Sequence, residues 1–150
     1  MPNWVETKVY AIKDDADFNK FVGEDGDFTF EKVIPSPGPD YKDWYNWNCE
    51  HWGTTWDAYD PDIIDKGSLR FKTAWTFALP VMRELAKKVG GIICFYADED
   101  IGSNCGGVII RGDRPERVLD GDTIFANIMW GMDIESRESV LFEFDYYLEG

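Results

Sequence analysis

The chain of 150 residues is strongly acidic, with 29 Asp and Glu against 15 Lys and Arg and a net charge of −14 at pH 7. Its length suits one domain over residues 1–150, and 44% hydrophobic with 29% charged residues is typical of a globular protein. The charge repels phosphate, which argues against direct nucleic-acid binding. No apolar run approaches the roughly 20 residues that span a bilayer, and the first residues do not resemble a signal peptide, so we predict no membrane partner and a cytoplasmic location.

Residues 5–12 alternate apolar with polar side chains, which predicts a β-strand covered on one face. Asp14 and Asp15 can cap a short helix that Gly23 would close. Residues 28–34 alternate again and predict a second strand, which the proline-rich residues 35–39 would end. An aromatic stretch follows, and then an acidic connector at residues 57–65.

Residues 68–75 alternate and predict a third strand. Pro80 suits the first turn of a helix, and Gly90 would end it. The stripe between them recurs at helical spacing: Val81, Met82, Leu85, Ala86 and Val89. Residues 92–97 are continuously apolar, which is typical of a central strand.

The order strand, helix, strand, strand, helix, strand predicts an α+β fold of ferredoxin-like type, a split βαβ sandwich with both helices on one face of an antiparallel sheet. An aromatic helix or loop would be inserted at about residues 40–65. Residues 106–111 predict a further strand, Asp122 can cap a helix, and residues 140–149 alternate as a final strand. These form a C-terminal strand-helix-strand extension, which reaches over about residues 112–150.

The aromatic segment, residues 44–60, contains four tryptophans and the only histidine. As a helix from Asp43 to Trp52 it would spread large side chains over about 200°, whereas a helix on a core needs little more than about 100°. Gly53 would end that helix in the left-handed conformation. This wide arc of large side chains is explained either by packing within the protein or by recognition of a partner. The candidate partner-binding residues are Trp44, Tyr45, Trp47, Asn48, His51, Trp52, Trp56 and Asp57.

Catalytic and metal-binding patterns are weak in this sequence. Cys49 and His51 diverge by about 200° on a helix and cannot act as a nucleophile and base pair. The odd number of cysteines and their spacing indicate neither disulfides nor zinc, so reduced, buried thiols are expected. The acidic runs lack the order of a calcium-binding loop. We therefore predict no metal, no cofactor and no catalytic residue, although His51 with Asp57 or Glu50 would suit a small hydrolase or transferase.

Residues 66–88 differ from the rest of the chain because basic side chains outnumber acids there. This asymmetry is explained either by a contact surface or, as we favour, by solvated basic faces of a strand and a helix. The basic residues are Lys66, Arg70, Lys72, Arg83, Lys87 and Lys88.

The aromatic segment also resembles a known family. Residues 44–47, 50–54 and 56–60 are similar to the signature of the YubB-like ferredoxin-like family, small proteins carried by phages, prophages and plasmids. The resemblance extends over about residues 1–111. It implies a ferredoxin-like domain and a mobile-element origin in a bacterial host. It implies no established activity.

Three functions are compatible with these features. The first is a non-enzymatic interaction module that presents the aromatic segment or an acidic face to a host or phage protein. The second is a counter-defence inhibitor that mimics nucleic acid through its negative charge. The third is the small enzyme that uses His51. The sequence does not predict an oligomeric state.

Overall fold

A computed structural model of the protein describes residues 2–98, 105–119 and 136–149. Its sheet has six strands in the order β2-β3-β1-β4-β5-β6. The strands are β1 (Trp4–Ala11), β2 (Tyr59–Asp65), β3 (Ser68–Ala74), β4 (Ile92–Asp98), β5 (Cys105–Ile110) and β6 (Arg117–Leu119). The helices of the described part are α1 (Trp44–His51), α2 (Leu79–Val89), α3 (Arg137–Glu143) and α4 (Asp145–Glu149), with short 3-10 turns at Phe18–Phe21 and Phe30–Lys32.

The first four strands have ferredoxin-like topology. β1 lies in the middle and pairs antiparallel with both β3 and β4. β2 forms a hairpin with β3, and α2 connects β3 to β4. These connections place two split βαβ units on a shared sheet. The predicted α+β ferredoxin-like class is confirmed.

The helix α2 forms where the apolar stripe at helical spacing predicted it. Its apolar stripe faces the sheet, with Val81, Met82 and Leu85 fully buried. Pro80 lies in its first turn, where a missing N–H costs no hydrogen bond. Gly90 ends the helix at φ +87°, and its N–H donates to the Ala86 carbonyl oxygen. The predictions for this helix and its end are confirmed.

Two apolar clusters lie on opposite faces of the sheet. One packs α2 and the 3-10 turns against the sheet and includes Phe30 and Phe71. The other joins Tyr10 and Phe95 of the sheet to Val140 and Phe144 of α3 and its C-terminal end. The turn Phe18–Phe21 and α2, which stand where the two core helices were predicted, lie on one face of the sheet as predicted, whereas α3 and α4 of the C-terminal region pack on the opposite face.

The second strand was predicted in the wrong place. Residues 28–34 contain the 3-10 turn Phe30–Lys32, which Thr29 caps, because the Asp57 carboxylate accepts the Phe30 N–H that a strand ladder would need. The strand lies instead at β2, within the predicted acidic connector. β2 is an edge strand that contains Pro61 and register shifts, and most of its side chains are exposed. It therefore lacks an apolar alternation. The aromatic helix α1, predicted as an insertion, lies in the crossover between β1 and β2.

Two other predicted elements differ from the structure. The first predicted helix is the single turn Phe18–Phe21, and Asp17 rather than Asp14 or Asp15 caps it. The final predicted strand, residues 140–149, is helical, and the Ser136 hydroxyl accepts the Ser139 N–H at its start.

The C-terminal alternation was misleading because Val140 and Phe144, four residues apart, are the buried pair, which is helical spacing. The helix predicted after Asp122 lies outside the described residues. No helix among residues 2–98, 105–119 and 136–149 is long and apolar enough to cross a membrane.

Candidate functional site

Helix α1 exposes aromatic side chains and buries an amide. Asn48 is the residue of α1 that is buried, whereas Trp44 and Tyr45 are 39% and 54% exposed. The rings of Trp44 and Tyr45 meet edge to face at 5.9 Å. Tyr41 precedes the helix and is 46% exposed. We call Tyr41, Trp44, Tyr45 and the exposed His51 the α1 surface.

Polar bonds at its C-terminal end fix α1 to the rest of the molecule. The Asn48 side-chain amide donates to the Thr55 carbonyl oxygen at 2.8 Å. The Trp52 indole N–H donates to the Ile34 carbonyl oxygen at 2.9 Å, and its buried ring packs edge-on against Phe30. These two predicted site residues therefore hold the helix in place, and their polar atoms are bonded within the protein.

Gly53 sets the direction of the chain after α1. Its φ of +78° is the predicted left-handed conformation, and its N–H donates to the Asn48 carbonyl oxygen. A Cβ at this position would lie 2.7 Å from Cδ of Pro80, in the first turn of α2. Both the conformation and the close approach require glycine, so the end of α1 is held against the start of α2.

His51 lies on the surface, and its side chain contacts Trp47 of the same helix. Its ring stacks on Trp47 at 4.3 Å with an interplanar angle of 14°, and Nδ1 lies 2.9 Å from the Trp47 carbonyl oxygen. Trp47 is half-buried and meets Trp52 edge-on. The stack orders the exposed imidazole as part of the α1 surface.

Asp57 fixes a distant turn. Its carboxylate accepts the Thr29 hydroxyl at 2.5 Å and the N–H groups of Phe30 and Ala58, both at 2.7 Å. Burial raises the pKa of Asp57, although these hydrogen bonds oppose the rise. Among the described residues no hydrogen bond joins Asp57 to His51. The structure therefore does not join His51 to Asp57, one of the two acids of the enzyme hypothesis.

Trp56 belongs to a different surface from α1. Its ring lies 6.3 Å from Trp4, which stacks on Tyr59 at 4.4 Å. Trp56 and Tyr59 are exposed, at the end of the sheet where β1 begins. Trp4 and Tyr59 were missed as site residues because the pairing of β1 with β3 and of β3 with β2 brings them together, and neither residue has a local signal.

The cysteines differ in exposure. Cys94 is buried in β4, and burial raises the pKa of its thiol. Cys105 is partly buried, but Cys49 is exposed on α1. The expectation of buried thiols is wrong for Cys49, because α1 turns Asn48 rather than its neighbour toward the protein. In the described part of the chain, no group of three His, Cys, Asp or Glu side chains could hold a metal ion.

The basic stretch does not form one surface. Arg70 of β3 pairs with Asp62 of β2 at 3.1 Å. On α2, Arg83 donates to both carboxylate oxygens of Glu116, and Lys87 and Lys88 lie near Glu84. The charges are divided between a strand and a helix, and each group has acidic neighbours.

The topology and the exposed helix define a ferredoxin-like α+β domain with an aromatic surface. The family model described as the ferredoxin-like domain in Api92-like protein matches residues 51–142, and the chain belongs to this family. No curated protein and no solved structure matches the chain. The ferredoxin-like part of the predicted resemblance is confirmed, whereas membership of the YubB-like family stays a prediction.

Proposed function

We propose that the protein is a non-enzymatic interaction module that binds a protein partner through the α1 surface. The observation that carries this proposal is the orientation of α1, which buries Asn48 and exposes Trp44 and Tyr45. Exposing large aromatic rings forgoes the stabilisation that their burial would give. Tryptophan and tyrosine combine large apolar area with a polar group, and they are enriched among residues that dominate binding energy.

The charges around α1 indicate the chemistry of the partner. Asp40, Asp43 and Glu50 are exposed in the stretch of chain that carries the aromatic residues, and Lys42 is an exposed basic residue in the same stretch. A partner groove with an apolar floor and a basic rim would complement this arrangement, as in other complexes where a helix lies in a groove. The resemblance to proteins of phages and plasmids supports a host or phage protein as the partner.

The contacts of the predicted acid and base favour this proposal over a hydrolase or transferase. The His51 ring is stacked on Trp47, and Asp57 is bonded to Thr29 and Phe30. A general base needs to lie within hydrogen-bond reach of the group that it deprotonates and of the residue that orients it. Neither residue has that environment, which supports recognition rather than catalysis.

Partner capture from lysate of an infected or plasmid-bearing host tests the proposal. The double variant Trp44→Ala with Tyr45→Ala removes two exposed rings of the α1 surface. The matched control is Phe142→Ala with Tyr146→Ala, two rings that are 82% and 76% exposed near the C-terminus. We expect the control to capture the same partner as the wild-type protein. The α1 variant should fail to capture it, because the variant loses at least about 2 kcal/mol of binding free energy.

Salt dependence separates this proposal from nucleic-acid mimicry. Binding that depends mainly on aromatic rings should weaken only modestly between low and moderate salt, through the basic rim of the partner, whereas a mimic of phosphates should lose affinity steeply and be displaced by DNA. Equal capture by the α1 variant and wild-type protein, or displacement of the partner by DNA, would contradict the proposal.

A further inference from the structure

Three arginines of the β5–β6 hairpin meet at one cleft. Arg111, Arg114 and Arg117 lie within seven consecutive residues of an otherwise acidic chain. The cleft has a volume of about 150 Å³. Of the residues that the structure describes, one aliphatic side chain, one proline and one aromatic ring also line the cleft and form what we call its apolar floor: Ile109, Pro115 and Tyr147.

Two of the guanidinium groups are held in place by α4. Arg111 donates to the Leu148 carbonyl oxygen. Arg117 donates to the Tyr147 carbonyl oxygen at 3.5 Å and lies 4.9 Å from the centre of the Tyr147 ring. A guanidinium has five N–H donors, so one bond to a carbonyl fixes its position without exhausting its capacity. Two of the three cations that line the cleft therefore have positions that are already set.

The acids of the hairpin do not line this cleft. Glu116 binds Arg83 of α2 through both carboxylate oxygens, at 2.6 and 2.9 Å. Asp113 is exposed and lies 3.3 Å from Arg114. Burial, together with the neighbouring charge of Arg114, lowers the pKa of Arg111. A bound anion would offset this concentration of positive charge.

We propose that the cleft binds the phosphate group of a small phosphate monoester. Arg111, Arg114 and Arg117 would bind the phosphate oxygens, and the ester group would lie on the apolar floor. Guanidinium groups match phosphate oxygens in bidentate geometry. A phosphate monoester carries a charge of about −1.5 to −2 at pH 7, so it is attracted to the three arginines that line the cleft more strongly than a singly charged anion is. The site lies near the β6 edge of the sheet and is independent of the α1 surface.

Calorimetric titration in a phosphate-free buffer at constant chloride tests the ligand class. The probes are phenyl phosphate, inorganic phosphate and benzoate. We expect saturable binding of phenyl phosphate with Kd of about 1 mM or tighter. Inorganic phosphate should bind more weakly because it cannot use the floor, and benzoate should bind at least about 10-fold more weakly because it carries one charge. Absence of saturable binding of phenyl phosphate, or equal binding of benzoate, would overturn the proposal.

Matched variants place the binding at this cleft. Arg114→Gln removes an exposed charge that contacts Asp113, and Arg117→Lys keeps a charge but removes the planar fork. We expect each variant to weaken phenyl phosphate binding about 10-fold. The control is Arg70→Gln, which removes an exposed arginine that pairs with Asp62 on the far side of the sheet order, and it should bind as wild type does. Thermal melts confirm folding. Undiminished binding by Arg114→Gln, or an equal loss in Arg70→Gln, would assign the binding elsewhere and overturn the proposal.

Discussion

The two helices of the crossovers are built in opposite ways. α2 buries Val81, Met82 and Leu85 against the sheet, so its apolar side chains hold it in place. α1 buries Asn48 and is fixed at its end by the bonds of Asn48 and Trp52 to carbonyl oxygens. The core on the α1 side comes largely from the 3-10 turns, which supply Phe18 and Phe30. Because these bonds and the packing of Trp47 against the core hold α1 in place, the helix can expose the rings of Trp44 and Tyr45, which the core does not include.

The largest predicted effect is on the free energy of unfolding, and it comes from a substitution in the buried face of α2. Leu85→Ala should lower the free energy of unfolding by about 2–5 kcal/mol, because it removes buried methyl groups and leaves a cavity. Urea unfolding followed by circular dichroism measures the change. A loss below about 1 kcal/mol would show that α2 does not anchor the core as its burial indicates.

The attachment of α1 is tested by Asn48→Ala. The substitution leaves the buried Thr55 carbonyl oxygen without the amide that donates to it, at a cost of about 1–3 kcal/mol. In native-state hydrogen exchange, α1 should open at a lower free energy than α2 in the wild type and in the variant, because α1 can detach without the core. Exchange of both helices at the same opening free energy would mean that α1 and α2 unfold together and that the contrast between them is wrong.

A smaller effect concerns Asp57, which fixes the chain beside α1. Burial raises its pKa above the ordinary value of 3.8, so the folded protein holds this proton more tightly than the unfolded chain does. The resulting stabilisation is complete below pH 3.8 and is lost as pH rises through the folded pKa. Relative to Asp57→Asn, the wild type should therefore lose stability over that window. A carboxyl titration by NMR with a midpoint at or below 3.8 would contradict this assignment.

Thiol labelling tests the orientation of α1 in the folded protein and requires no change in stability. Cys49 is exposed on α1 and should react with a disulfide reagent in the folded protein, whereas the buried Cys94 should react only after unfolding. Cys49→Ser removes the fast phase and identifies it. If Cys49 reacted no faster than the buried Cys94, the orientation of α1 would be wrong.

The sequence predicted the elements whose burial is periodic. β1, β3, α2 and β4 pack on the core, and their apolar spacing predicts them well. β2 was missed because an edge strand with Pro61 needs no apolar face. The C-terminal helices were missed because Val140 and Phe144 are four residues apart. In a short stretch this separation fits both the alternation of a strand and the spacing of a helix.

The roles of individual site residues depend on contacts that spacing does not encode. Asp57 fixes a turn that lies 27 residues earlier, at Phe30. Arg111 and Arg117 reach the end of α4, so their cleft exists only in the folded chain. The helical arc of the aromatic segment was predicted, but the sequence did not show which of its residues would face the protein. That choice follows from the bond between Asn48 and Thr55.

The central claim is that the α1 surface serves recognition and contributes little to the fold. The most direct test measures both properties in the double variant Trp44→Ala with Tyr45→Ala. We predict a change of about 0.5 kcal/mol or less per substitution in the free energy of unfolding, which is typical of exposed positions, together with loss of partner capture. A variant that is strongly destabilised, or one that captures the partner as wild type does, would contradict the claim.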